Sequence, residues 1–83
     1  MSSTNVHNTL EARRAIKKVS RKDLADAIGV NYQTIGYIER GDYAPSIQVA
    51  LQIAEFFETP VESIFSLYPL QAELSTKQIK DES

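Results

Sequence analysis

Two short apolar patterns of helical period stand on either side of Gly29, and this pair limits the possible folds more than any other feature of the chain. Leu24, Ala25 and Ile28 fall on one face of a helix, and Ile35 and Ile38, three apart, do the same in the next segment. Ser20 and Asp23 have the spacing of a capping box before the first pattern, and Asn31 is an N-cap for the second. Gly29 closes one helix and Gly41 the other, as the residue that adopts a left-handed backbone at least cost. The link Gly29-Val30-Asn31 is so short that the two helices must pack on each other, with Ala25 small where they cross.

The flanks extend the helical reading. Asn8 and Glu11 have the form of a capping box for a helix through Lys17. Ser46 caps a fourth helix along the stripe Ile47, Ala50, Leu51, Ala54 and Phe57. Thr59, Pro60 and Glu62 supply cap, first-turn proline and capping partner for a fifth, which buries Val61, Ile64 and Phe65. Alternating strand patterns bounded by turn signals are absent, so the expectation is an all-α domain of five helices over residues 8–66. Residues 1–7 read as a flexible leader. After Pro69, Leu70, Leu74 and Ile79 are scattered in a polar tail, residues 67–83, open to a short helix, a dimer arm or disorder.

At 83 residues there is room for one small core. With no cysteine and one histidine, His7, neither a disulfide framework nor a metal site is expected, and no pattern calls for a cofactor or a small-molecule ligand. There is no nucleophile with a base and no carboxylate pair in an evident cleft, so an enzyme is the weakest reading. No apolar run reaches the length of a membrane span and residues 1–8 lack a signal-peptide pattern, which reads as cytoplasmic. The net charge of −2 argues mildly against a nucleic-acid partner, but the charge is polarised. Arg13, Arg14, Lys17, Lys18, Arg21 and Lys22 run without an intervening acid, whereas Asp23 to Pro69 holds Arg40 as its one cation. By itself such a cluster is more often a solvated face than a phosphate site.

Two helices across a glycine turn have the form of a helix-turn-helix, here spanning Arg21–Arg40, although an arbitrary helical hairpin shares the turn and the spacing. Leu24-Ala25, Gly29-Val30, Gln33-Thr34-Ile35, Ile38-Glu39-Arg40-Gly41, Pro45-Ser46 and the ending Ile64-Phe65 together resemble the Cro/phage-repressor-like, XRE-type helix-turn-helix family, without a gap from about Asn8 to Phe65. The resemblance implies a five-helix lambda-repressor-like domain and a DNA-binding transcriptional regulator. It also implies that the segment from Asn31 to Arg40 is the helix that enters the major groove.

Roles for single residues follow from that resemblance. Gln33 and Thr34 match positions that reach base edges: glutamine suits adenine N6 and N7, and threonine offers a hydroxyl or a methyl. Tyr32 and Tyr37 lie on the same side, open either to DNA contact or to partial burial. Asn31 caps the helix and can also receive a phosphate. Arg21 stands where the family usually has glutamine, where it strengthens a backbone contact or adds a guanine reading. Arg40 is open to a phosphate contact or to an ion pair with Glu39. Gly36, inside the helix, either lets the backbone approach DNA or is a tolerated small exposed residue.

Several positions depart from the family pattern. Arg13 replaces an apolar residue, so the first helix packs by its arginine stem or turns toward Ala12 and Ile16. Lys18 and Glu58 stand where glycine often ends a helix. Asp42 replaces a frequent cation. The expected partner is a double-stranded operator bound by a homodimer, with its dimer surface in the fifth helix and residues 65–70. A partner-binding, antitoxin-like module on the same fold is the second reading.

Overall fold

The computed structural model describes residues 6–70. Four α-helices, α1 (Leu10–Lys17), α2 (Arg21–Ile28), α3 (Tyr32–Glu39) and α4 (Ile47–Phe57), enclose a core of Leu10, Leu24, Ala25, Ile28, Ile35, Ile38, Ile53, Ala54, Phe57 and Ile64. α2 packs most extensively on α3 and next on α4, so the turn pair is the centre of the fold.

Local chemistry sets most helix limits. At α2 the Ser20 hydroxyl accepts from Asp23 N at 2.9 Å while the Asp23 carboxylate accepts from Ser20 N, a reciprocal capping box. Ser46 Oγ accepts from Val49 N at the head of α4. The N-cap of α1 is Thr9, one residue later than Asn8, and makes no capping bond of its own. Asn8 Oδ1 still accepts from Leu10 N at 2.9 Å, and its amide donates to Ile38 O at 3.0 Å, so one side chain starts α1 and ties it to the end of α3. Gly29 and Gly41 have φ of 78° and 82°. Lys18 (φ 60°) and Glu58 (φ 52°) adopt the same left-handed backbone: their N–H groups donate to Ala15 O and Glu55 O, and the next N–H groups, of Val19 and Thr59, donate to Arg14 O and Ala54 O.

Three expectations are corrected. Among the described residues no fifth α-helix forms: Val61–Ser63 is a single 3₁₀ turn. Pro60 is extended at ψ 141°, and the Thr59 hydroxyl donates back to Phe57 O instead of capping forward. The carbonyls of Ser63 and Ile64, which a longer helix would use, accept instead from the Thr9 hydroxyl and the Thr9 N–H. Second, the fold is not purely helical. β1 (His7–Asn8) pairs antiparallel with β2 (Phe65–Ser66), His7 opposite Ser66 and Asn8 opposite Phe65. Strands of two residues are too short to carry a period-2 pattern, and His7, expected in the leader, is part of the pair. Third, the inward face of α4 is shifted from the expected stripe. Ala54 and Phe57 are buried as expected, but Ile47 is 80 % and Leu51 55 % exposed, and Ile53, outside the stripe, is buried, with Val49 and Phe56 packed beside it.

In α1 Ala12 and Ile16 are exposed and Arg13 and Arg14 are half-buried, so the helix packs through arginine stems. Arg13 Nη2 reaches Ser63 O at 3.4 Å. Residues 1–5 of the leader, and Leu74 and Ile79 of the tail, lie outside the described residues.

Candidate nucleic-acid interface

Asn31 Oδ1 accepts from Gln33 N at 2.7 Å and starts α3, while Ile35 and Ile38 sink its inner face into the core. Fixing both the first turn and the inner face leaves the outer face with a set orientation. Tyr32, Gln33 and Tyr37 are exposed there and Thr34 is half-buried. Arg21, Tyr32, Gln33, Gly36, Tyr37 and Arg40 line one shallow concavity. Asn31 stands at its end as the cap, and Thr34 is not part of its lining.

Gly36 is neither an exposed position nor a free stretch of backbone. It is buried because two guanidinium groups lie over it: a Cβ at this position would meet Arg21 Nη1 at 3.2 Å and Arg40 Nη1 at 3.3 Å. Its φ is helical, so space rather than backbone conformation is what a side chain here would disturb.

Glu39 does not hold Arg40. Its side chain, 2 % exposed, accepts from Arg14 Nε and from Arg14 Nη2 at 3.1 Å, and from Arg21 Nε at 3.0 Å. A carboxylate this buried is stable only when its lone pairs are used, and the two arginines use them. The Arg14 guanidinium is held above its ordinary pKa, first by the hydrogen bond to Glu39, against a smaller opposing effect of desolvation. Arg14 Nη1 also donates to Val19 O, which links α1 to the segment before α2. Arg40 bonds Asp42 across the surface at 3.1 Å and stands 5.2 Å from the centre of the Tyr37 ring.

The basic cluster therefore divides. Arg14 and Arg21 converge on Glu39, Arg13 turns toward Ser63, and Lys22 pairs with Asp26 one turn along α2. The residues that sequence reasoning missed are Arg14 and Glu39 as a pair beneath the concavity. The one signal was that Glu39 is the sole acid of α3, since its partner in α1 lies 25 residues away. Among the described residues no group of three or more His, Cys, Asp or Glu is placed to hold a metal, and no helix is long and apolar enough to cross a membrane.

Comparison with known proteins gives a consistent result. Residues 10–64 match a family model described as helix-turn-helix. The chain is 45 % identical over 58 residues to an uncharacterised HTH-type transcriptional regulator of Methanocaldococcus jannaschii, covering 70 % of this chain and 88 % of that one. It is 38 % identical over 60 residues to the uncharacterised HTH-type transcriptional regulator YgzD of Bacillus subtilis, covering 72 % and 91 %. A further HTH-type regulator, from Archaeoglobus fulgidus, is 38 % identical over 52 residues, 63 % of this chain and 73 % of its own.

Proposed function

The chain belongs to the XRE-type helix-turn-helix family, and from that premise we propose that it is a sequence-specific transcriptional regulator, a repressor that binds a palindromic DNA operator as a homodimer. The observation that carries this reading is the concavity on the outer face of α3, where an amide, two phenols and two guanidinium groups stand together beside a helix N-terminus. A major groove accepts an α-helix, and this collection of donors and acceptors suits base edges and phosphates. Gln33 reads base edges and Thr34, at the side of the same turn, contributes its hydroxyl or methyl. Tyr32, Tyr37 and Arg40 contact the flanking sugar and phosphates, and Asn31, its oxygen held by Gln33 N, offers its side-chain amide N–H to a phosphate at the positive end of α3.

The homodimer is proposed because one unit of this size spans too few base pairs for a selective site. Leu67 and Tyr68, exposed just beyond β2, are the surface proposed for it. Two α3 helices then enter successive major grooves about 34 Å apart. Repression needs no more than occupancy of a promoter, and such a regulator acts in the cytoplasm.

Selection of bound fragments from random DNA, followed by footprinting, tests this reading. The expected result is an enriched palindrome protected over two half-sites, with Gln33→Ala relaxing preference at particular base pairs. Binding with no preference over bulk DNA at moderate salt defeats it.

A further inference from the structure

The geometry points to Arg21 as the reader of one guanine in each half-site, with Glu39 as the positioning residue that aims it and Gly36 as the space that lets it lie flat on α3. The inference rests on the DNA-binding reading above. Arg21 Nε is engaged by Glu39 Oε1 at 3.0 Å, which leaves the two terminal nitrogens as the donors still to be used. Nη1 lies across Gly36, within the concavity shared with Gln33, Tyr32 and Tyr37. The group is thus fixed along one edge and open along the other. Two parallel donors match the O6 and N7 acceptors of guanine in the major groove, whereas adenine offers one acceptor and one donor there.

Charge favours this over a phosphate contact. Arg14, Arg21 and Glu39 form one cluster of two cations and one buried anion. Glu39 therefore offsets part of the charge that would attract a phosphate, while it sharpens the direction in which Arg21 donates. A free surface lysine would serve a phosphate as well, with no buried carboxylate and no helix-interior glycine needed. Here the mid-helix glycine, unfavourable by itself, coincides with the place where the Arg21 guanidinium crosses α3 beside that of Arg40.

The test measures binding of the purified full chain to fragments selected by the wild-type protein and to variants with each base pair substituted in turn. Arg21→Lys and Arg21→Gln are expected to lose about 10- to 100-fold of guanine preference at one pair per half-site and to keep the preferences at the other pairs. Gly36→Ala, which retains a helical backbone, moves the guanidinium by tenths of an ångström and is expected to weaken preference at that same pair. Glu39→Gln, assayed well below its melting temperature, is expected to lose it too; a carboxylate with only a structural role would lower stability and leave the base preference intact, which overturns the positioning assignment. If Arg21→Gln instead weakens binding to every sequence equally and lowers the salt-dependence slope by about 1.8, about 0.9 for each half-site, Arg21 is a phosphate contact and the proposal is wrong. If the wild-type protein enriches no sequence at all, the DNA-reading function itself fails and this inference falls with it.

Discussion

Lys18 and Glu58 close α1 and α4 with the same left-handed backbone and the same pair of hydrogen bonds, yet replacing each by glycine is expected to have unequal effects. A side chain in this conformation costs about 1–2 kcal/mol relative to glycine. Glycine returns about 0.5–1 kcal/mol of that through the greater freedom of the unfolded chain. The backbone exchange alone thus stabilises by about 0.5–1 kcal/mol at either site. The charges then act in opposite directions. Glu58 sets a carboxylate at the negative end of α4, so removing it contributes about 0.3–1 kcal/mol more, whereas Lys18 complements the end of α1 and its loss costs a similar amount. Glu58→Gly should therefore gain about 0.8–2 kcal/mol and Lys18→Gly close to zero. For a domain of this size the first corresponds to a rise in Tm of roughly 3–16 °C. Thermal and urea unfolding of both variants and the double mutant measure this, with Glu58→Lys isolating the charge. A larger gain from Lys18→Gly, or a loss in both, refutes the account of the helix ends.

Three further outcomes follow from the packing and the site. Ile35 is fully buried between the turn helices, so Ile35→Ala should destabilise by about 2–5 kcal/mol and Ile35→Val by about 0.5–1.5, read as midpoint shifts in urea. Asn31→Ala removes the acceptor for Gln33 N and should cost about 1 kcal/mol, whereas Asn31→Asp keeps the cap but weakens DNA binding by placing an anion beside phosphate; equal DNA affinity for the two would show that Asn31 only caps. Glu39→Gln should lose roughly 2–3 kcal/mol, below the usual figure for breaking a buried pair because the Arg21 side chain is 41 % exposed and its arm is screened. Because the pKa of Arg14 is raised, its contribution is complete below the ordinary guanidinium value and is lost only above it. The stability difference between wild type and Glu39→Gln should accordingly stay constant from about pH 6 to about pH 9 in unfolding titrations.

Much of the concavity's lining was legible in the sequence. Arg21, Tyr32, Gln33, Gly36, Tyr37 and Arg40 were all singled out from the helix-turn-helix pattern, and the fold brings them to one concavity. What the pattern missed was how the cations are held. Glu39 and Arg40 are adjacent in sequence, and an ion pair between them was one of two readings open for Arg40, but a helix turns neighbours about 100° apart. Glu39 points inward to Arg14 and Arg21, and Arg40 outward to Asp42. In α4 the expected stripe holds at Ala54 and Phe57 and fails at Ile47 and Leu51: Ile47, Val49, Ala50, Leu51, Ile53, Ala54, Phe56 and Phe57 make the helix apolar nearly all round, so period alone does not choose a face.

Short-range order in this protein was written into its residues. Ser20 with Asp23, Asn31 before α3, and glycine at 29 and 41 act through bonds that span a few positions, so their effect can be read along the chain. Tertiary structure alone decided the rest. Residues 59–65 carry helix signals in the sequence, but the carbonyls of Ser63 and Ile64 accept from Thr9 at the other end of the domain, and the segment is a 3₁₀ turn followed by a strand pair. Donors and acceptors far apart in sequence meet only when the core closes, and whichever bond then satisfies a buried group overrides what local propensity preferred.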